Sequence, residues 1–220
     1  MLAAIIVWLA ALLWCVPQQS LEQPIDPNAQ FQRQLERARA NPNQANWSAL
    51  RLAFSRTNAY NPNLEPFDPS PIYHELNNGE RVAALVALDR ALDGRWVEPE
   101  PHFHAALIYD QLGETDRRDL HLAFGRGLRQ AIIQAADGHS FQTAYPILVT
   151  SEEPYILRHL GLTGPARRSQ LLDHGRHFDI HTFNTPAGGE IQVFFDIETA
   201  WQASNRRQNE HSLPLPGLSR

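Results

Sequence analysis

The chain has 220 residues, 43% hydrophobic and 20% charged, enough apolar material for a sizeable core and too much for a wholly disordered chain. Its 19 basic and 24 acidic residues leave a net charge of −5, with no broad cationic surface for a nucleic-acid backbone. All basic residues are arginine and the only cysteine is Cys15, which excludes the P-loop, lysine Schiff bases, disulfides, thiolate metal sites and cysteine nucleophiles from the folded part.

Leu2 to Val16 carries no charge and falls short of the roughly 20 apolar residues that span a bilayer. Residues 1–20 therefore read as a signal peptide or an N-terminal anchor, and Leu12-Leu13-Trp14-Cys15 leaves lipidation at Cys15 as a third possibility. Residues 21–28, with Pro24 and Pro27, read as a linker. One α+β domain is expected over 29–200, helical from 29 to 137 and built of strands and a short helix from 138 to 200. Residues 201–220 read as a flexible tail, because Asn205-Arg206-Arg207-Gln208-Asn209 and two later prolines bury little.

Helical spacing places Phe31, Leu35 and Ala38 on one stripe, and Trp47, Leu50 and Phe54 on a second, with Tyr60 beyond a break. A proline-rich run, Asn61 to Pro71, precedes helices around Ile72–Leu76 and Val82–Leu92. Pro101–Leu112 and Asp116–Ala136 follow, joined at Gly113-Glu114-Thr115 with Gly113 as a C-terminal stop and Thr115 as N-cap. His102 to Leu128 resembles one degenerate tetratricopeptide unit, with Arg118 where the second helix needs a small residue and no second copy along the chain.

After Asp137-Gly138 the period shortens. Ala144–Thr150 suits a buried strand, and Ser151-Glu152-Glu153-Pro154 suits the start of a short helix. Phe178, Ile180 and Thr182 alternate, as do Ile191, Val193, Phe195 and Ile197, about the turn Thr185 to Gly189. Matching apolar faces pairs Phe178 with Phe195 and Ile180 with Val193, and Ser169–Leu172 adds a strand to a small antiparallel sheet.

Several segments in chain order resemble a family of bacterial exported proteins catalogued as domain of unknown function 4919. They are Leu50-Arg51-Leu52-Ala53-Phe54 with Tyr60-Asn61-Pro62, His104 through Tyr109-Asp110-Gln111-Leu112-Gly113, Asp137-Gly138-His139-Ser140 with Thr143-Ala144, Glu153 through Leu157 with Leu160-Gly161-Leu162, and Val193-Phe194-Phe195-Asp196-Ile197. The resemblance implies an exported bacterial protein, periplasmic, secreted or anchored in the envelope, with helices leading into a small sheet. It implies no activity.

Two groups of side chains invite chemistry. Gly138-His139-Ser140 holds a base beside a nucleophile and would make a hydrolase if a distant histidine such as His121 closed on Ser140; the ordinary reading is a helix C-terminus with Ser140 satisfying backbone groups. His177 and Asp179 share a strand face, and the register above places Asp196 opposite His177, a weak metal set because His177 and His181 stand about 13 Å apart on a strand. The arginine doublets at Arg167 and Arg206 read as solvated loops. No motif calls for a cofactor. The expected function is non-catalytic binding of a peptide or protein of the cell envelope in a groove of the helical layer, with membrane contact only through residues 1–16 if these are retained or lipidated; the alternative is the hydrolase.

Overall fold

Asp26 opens the first helix: its carboxylate accepts the Asn28 amide, and Pro27 occupies the first turn, where a missing N–H costs nothing. The computed structural model describes residues 26–212, so the N-terminal apolar segment and Cys15 lie outside the described residues. Pro27 and Asn28, expected in the linker, are the first residues of helix α1 (Pro27–Ala40).

A 3-10 turn at Pro42–Gln44 leads to α2 (Trp47–Phe54), capped by the Asn46 side chain. The two expected stripes meet here, and Phe31, Leu35, Leu50, Phe54 and Tyr60 form a core with Phe124 and Leu128. Helices α3 (Ser70–Asn77), α4 (Arg81–Leu92) and α5 (Pro99–Gln111) build a second core from Ile72, Leu88, Leu92, Ala105 and Ile108. Helix α6 (Thr115–Ile133) runs back along α5.

The joint between them is a Schellman turn. The Glu114 amide donates to the Tyr109 carbonyl at 2.8 Å and Gly113 to Asp110 at 3.0 Å, with Gly113 at a φ of +74° that strains other residues. Thr115 begins the helix instead of capping it, and Glu114, at the cap position, makes no side-chain cap bond. This hairpin covers the segment that resembles a tetratricopeptide unit. Its close approach comes from Gly125, where an added Cβ would stand 3.0 Å from the Phe103 ring, while Arg118 sits toward the rim between Asp110 and Asp119.

The second half contributes β1 (Tyr145–Pro146), α7 (Glu152–His159), β2 (Arg167–Asp173), β3 (Arg176–Asn184), β4 (Glu190–Asp196) and α8 (Glu198–Ser212). The strand order is β1-β4-β3-β2. The fold is α+β, helices first, but β1 runs parallel to β4, so the sheet is mixed and not antiparallel throughout. Ala144–Thr150 supplies only that two-residue bridge, and the rest of the run packs as irregular chain with Ile147 and Val149 buried.

The hairpin register is one residue away from the expected one: Phe178 faces Asp196, Asp179 faces Phe195 and Ile180 faces Phe194. The expectation assumed a single buried face, whereas both are covered. Val193, Phe195 and Phe183 pack with Ile132, Ile156 and Leu157, while Phe178, Ile180 and Phe194 pack with Phe141 and Ala144.

The expected tail is helical as far as Ser212. Ala200 and Ala203 are buried, Trp201 stacks on His177 with ring centroids 3.5 Å apart, and an Arg207 guanidinium donates to the Tyr60 carbonyl. Ala200 and Ala203, three apart, dock this largely polar helix, a stripe too thin to stand out in the sequence.

Candidate functional site

The Gly138 loop holds its shape through its own backbone. The Gly138 amide donates to the Thr143 carbonyl at 2.7 Å, its carbonyl accepts from Phe194, and an added Cβ would overlap the Tyr145 ring. Ser140 Oγ lies 2.9 Å from Thr143 Oγ1 and accepts the Thr143 amide, while His139 is exposed with its amide donating to Asp137. His121 is buried in α6 against His102, Trp96 and Tyr109. Neither histidine shares a hydrogen bond with Ser140, so the nucleophile and base that a hydrolase needs within about 3 Å are not brought together.

The metal set is also dispersed. The shifted register puts Asp196 opposite Phe178, on the other face from His177, where it pairs with Arg176. His177 Nδ1 donates to Glu198 at 2.8 Å, and Asp179 pairs with Arg168. Among the described residues no group of three metal-ligating side chains has metal geometry.

What the structure does assemble is a line of buried charge centred on the first turn of α7. Glu152 and Glu153 are 2% and 1% exposed. Adjacent on the helix, they enter different halves of the molecule. Glu152 reaches the helical layer, where it pairs with both terminal nitrogens of Arg51, one at 3.0 Å, and accepts the Leu148 amide at 2.8 Å. Arg51 also donates to the carbonyls of Val97 and Pro146. Ser151 occupies the N-cap position of α7 without a side-chain cap bond, and gives its hydroxyl to Glu98 at 3.0 Å. Burial pushes the Glu98 carboxyl up to about 7, with Arg95 at 3.1 Å opposing the shift.

Glu153 reaches the sheet, where its carboxylate meets Arg168 at 3.1 Å and His181 Nε2 at 2.7 Å. Arg168 also clamps Asp179, which is fully buried and whose Oδ1 has no hydrogen-bond partner. Burial raises the Glu153 carboxyl and the neighbouring Asp179 charge raises it further. Two carboxylates face one guanidinium here, so burial and the Asp179 charge together favour the protonated form of the Glu153 carboxyl. Arg168 seals the cluster, and its side chain alone of the four is well exposed. Arg168, expected in a solvated loop, is thus the second residue of β2 and closes this cluster.

A second buried pair is built from imidazoles. His102 Nε2 lies 3.2 Å from the Trp96 carbonyl, which can only accept, so Nε2 carries the proton. Its Nδ1 then accepts from His121 Nδ1 at 2.9 Å. Burial holds His102 down to about 3 and His121 to about 4, with the His121 charge the next cause for His102 and Arg39 for His121. Because both values lie below those of an unfolded chain, the pair's contribution is complete above pH 6.5 and is lost as pH falls towards 4. Imidazole resonances of both residues are expected to stay at their neutral positions from pH 7 to 5, while exposed His174, raised by Asp173, becomes protonated. Titration of His102 in that range would show that water reaches the pair.

Open surface lies elsewhere. A groove of about 720 Å3 runs between the 3-10 turn and α6, with Trp47 and Leu120 along it, Arg39 and Arg126 as cations, and Asp116 and Asp119 as acids. Trp47 fits there because Gly127 has no Cβ, which would overlap the indole. A smaller pocket of about 310 Å3 lies where α5, α6 and α7 meet. Sequence reasoning missed Glu98, the Arg168 cluster and this pocket. The one available signal was the acidic pair Glu152-Glu153 set between the apolar run Ile147–Val149 and Ile156-Leu157. Comparison of the chain with protein-family models, with curated proteins and with solved structures finds no match in any of the three.

Proposed function

We propose that this chain is an exported, non-catalytic protein of the bacterial cell envelope that binds a peptide or protein segment along α6. The observation that carries the reading is the 720 Å3 groove: an indole on its wall, the amides of Asn43 and Gln130 for a peptide backbone, and charges of both signs on its rim. The buried acids support it indirectly, since Glu152, Glu153 and Asp179 already hold arginines and line none of the larger cavities. Export rests on the apolar segment Leu2–Val16 and on the family resemblance. Among the described residues no helix is long and apolar enough to cross a membrane.

Selection from a random peptide library on the immobilised full chain tests the reading. Enriched peptides are expected to lose at least tenfold in affinity for Arg126→Glu, a change at an exposed position. Asp116→Arg is expected to shift the selected charge pattern. Failure to enrich any peptide, or peptides indifferent to both substitutions, would overturn the groove as the binding site.

A further inference from the structure

The pocket between α5, α6 and α7 shares no residue with the groove and is built differently. Its aromatic walls are Phe103 and Tyr155, near-parallel rings inclined at 23° with centroids 6.4 Å apart. Phe103 is held against α6 by the bare backbone of Gly125. The Arg129 guanidinium lies over Phe103 at 5.2 Å, and no carboxylate among the described residues comes within ion-pairing distance of it. Arg158, on the next turn of α7 after Tyr155, is held by Glu100. His104 uses Nδ1 on the Tyr73 hydroxyl at 3.2 Å, which leaves Nε2 to the pocket it lines.

These groups sum to one uncompensated positive charge, two arginines against Glu100, between aromatic surfaces. Burial is the first cause holding His104 and His159 below their ordinary value; the Arg129 charge acts in the same direction at His159, while at His104 the Glu100 charge opposes the shift and outweighs Arg158. The Arg129 charge that disfavours imidazolium at His159 is the one that would favour a bound anion. A guanidinium fork takes a carboxylate or a phosphate in two parallel bonds, and the aromatic walls favour a ligand with a flat apolar body.

We infer that this pocket binds an aromatic carboxylate, seated with its carboxylate on Arg129 and its ring against Phe103 and Tyr155. The chemistry is shared by a free aromatic acid and by a peptide ending in a free phenylalanine. A bare phosphate would satisfy Arg129 and leave the walls unused. The inference does not depend on the α6 groove binding anything.

The test is a titration of the full chain, isotope-labelled at histidine and phenylalanine, with sodium benzoate, inorganic phosphate, glycyl-phenylalanine and its amide. Expected are saturable shifts of His104, His159 and Phe103 resonances with benzoate, with glycyl-phenylalanine or with both, and the stronger of the two names the source. Arg129→Gln is expected to weaken binding at least tenfold, and Arg129→Lys, which keeps the charge but not the fork, by several-fold with an unchanged melt. Absence of saturable shifts with either carboxylate, equal binding of phosphate or of the amide, or undiminished binding to Arg129→Gln would overturn it.

Discussion

Phe195→Asp is expected to destabilise the protein by at least about 4 kcal/mol, and Gln192→Asp by no more than about 0.5 kcal/mol, in urea melts of the two variants. Phe195 is fully buried, with its ring 5.9 Å from Tyr145 and edge-on to His181 at 5.5 Å. Its loss removes the packing of a core aromatic, a change that costs about 3–5 kcal/mol even when the replacement is apolar. The new carboxylate would also stand directly across the strands from Asp179, which is already buried beside Glu153 with one oxygen unpartnered. Three acids would then share one arginine and one histidine, so the variant either protonates or unfolds, and its deficit grows with pH. Gln192 is exposed and gives up only a 3.4 Å bond to Thr182. Equal destabilisation by the two changes would mean that the face assignment of β4 is wrong.

That face was legible in the sequence, and the register was not. Val193, Phe195 and Ile197 alternate and do share a face, as do Phe178 and Ile180. Alternation fixes register when one face of a sheet meets water, since a slip then exposes the core. Here the loop carrying Phe141 covers the second face, and the two apolar sets belong to opposite sides of the sheet. Asp179 and His181 lie on the same face as Phe195 and Val193. Nothing in their spacing announces that α7 covers them, because the partners sit in separate elements, Glu153 28 positions before His181 and Arg168 11 before Asp179.

The helical half was more legible because its signals are local. Stripes at a period of 3.6, the Gly113 stop and the proline-rich run lie within a few residues of what they determine. Pairings across the chain are different in kind. His102 and His121 read as unrelated histidines until the α5–α6 hairpin brings their rings together, and the Trp96 carbonyl then fixes which nitrogen carries the proton. The pocket of Arg129, Phe103 and Tyr155 draws on three helices and has no signature in any of them.

Arg51 is the strongest case of such a pairing, and Arg51→Met is expected to cost about 3–5 kcal/mol. In the sequence it sits inside the apolar stripe of α2, where a charged residue would ordinarily face solvent; its side chain is 7% exposed and its partner Glu152, at 2%, lies 101 positions away. Removing the guanidinium strands a buried carboxylate and leaves the Val97 and Pro146 carbonyls without that donor. Glu152→Gln is milder, about 1–3 kcal/mol, because the amide oxygen can still accept the Leu148 N–H. The pair Arg51→Met with Glu152→Met settles what the ion pair does, since replacing both charges by apolar side chains removes the stranded carboxylate. The double variant is therefore expected to lose less than the sum of its single changes, with a coupling of about 2 kcal/mol in urea melts. Strict additivity would mean that water already solvates Glu152 and that the first turn of α7 is not held to the helical layer through this contact.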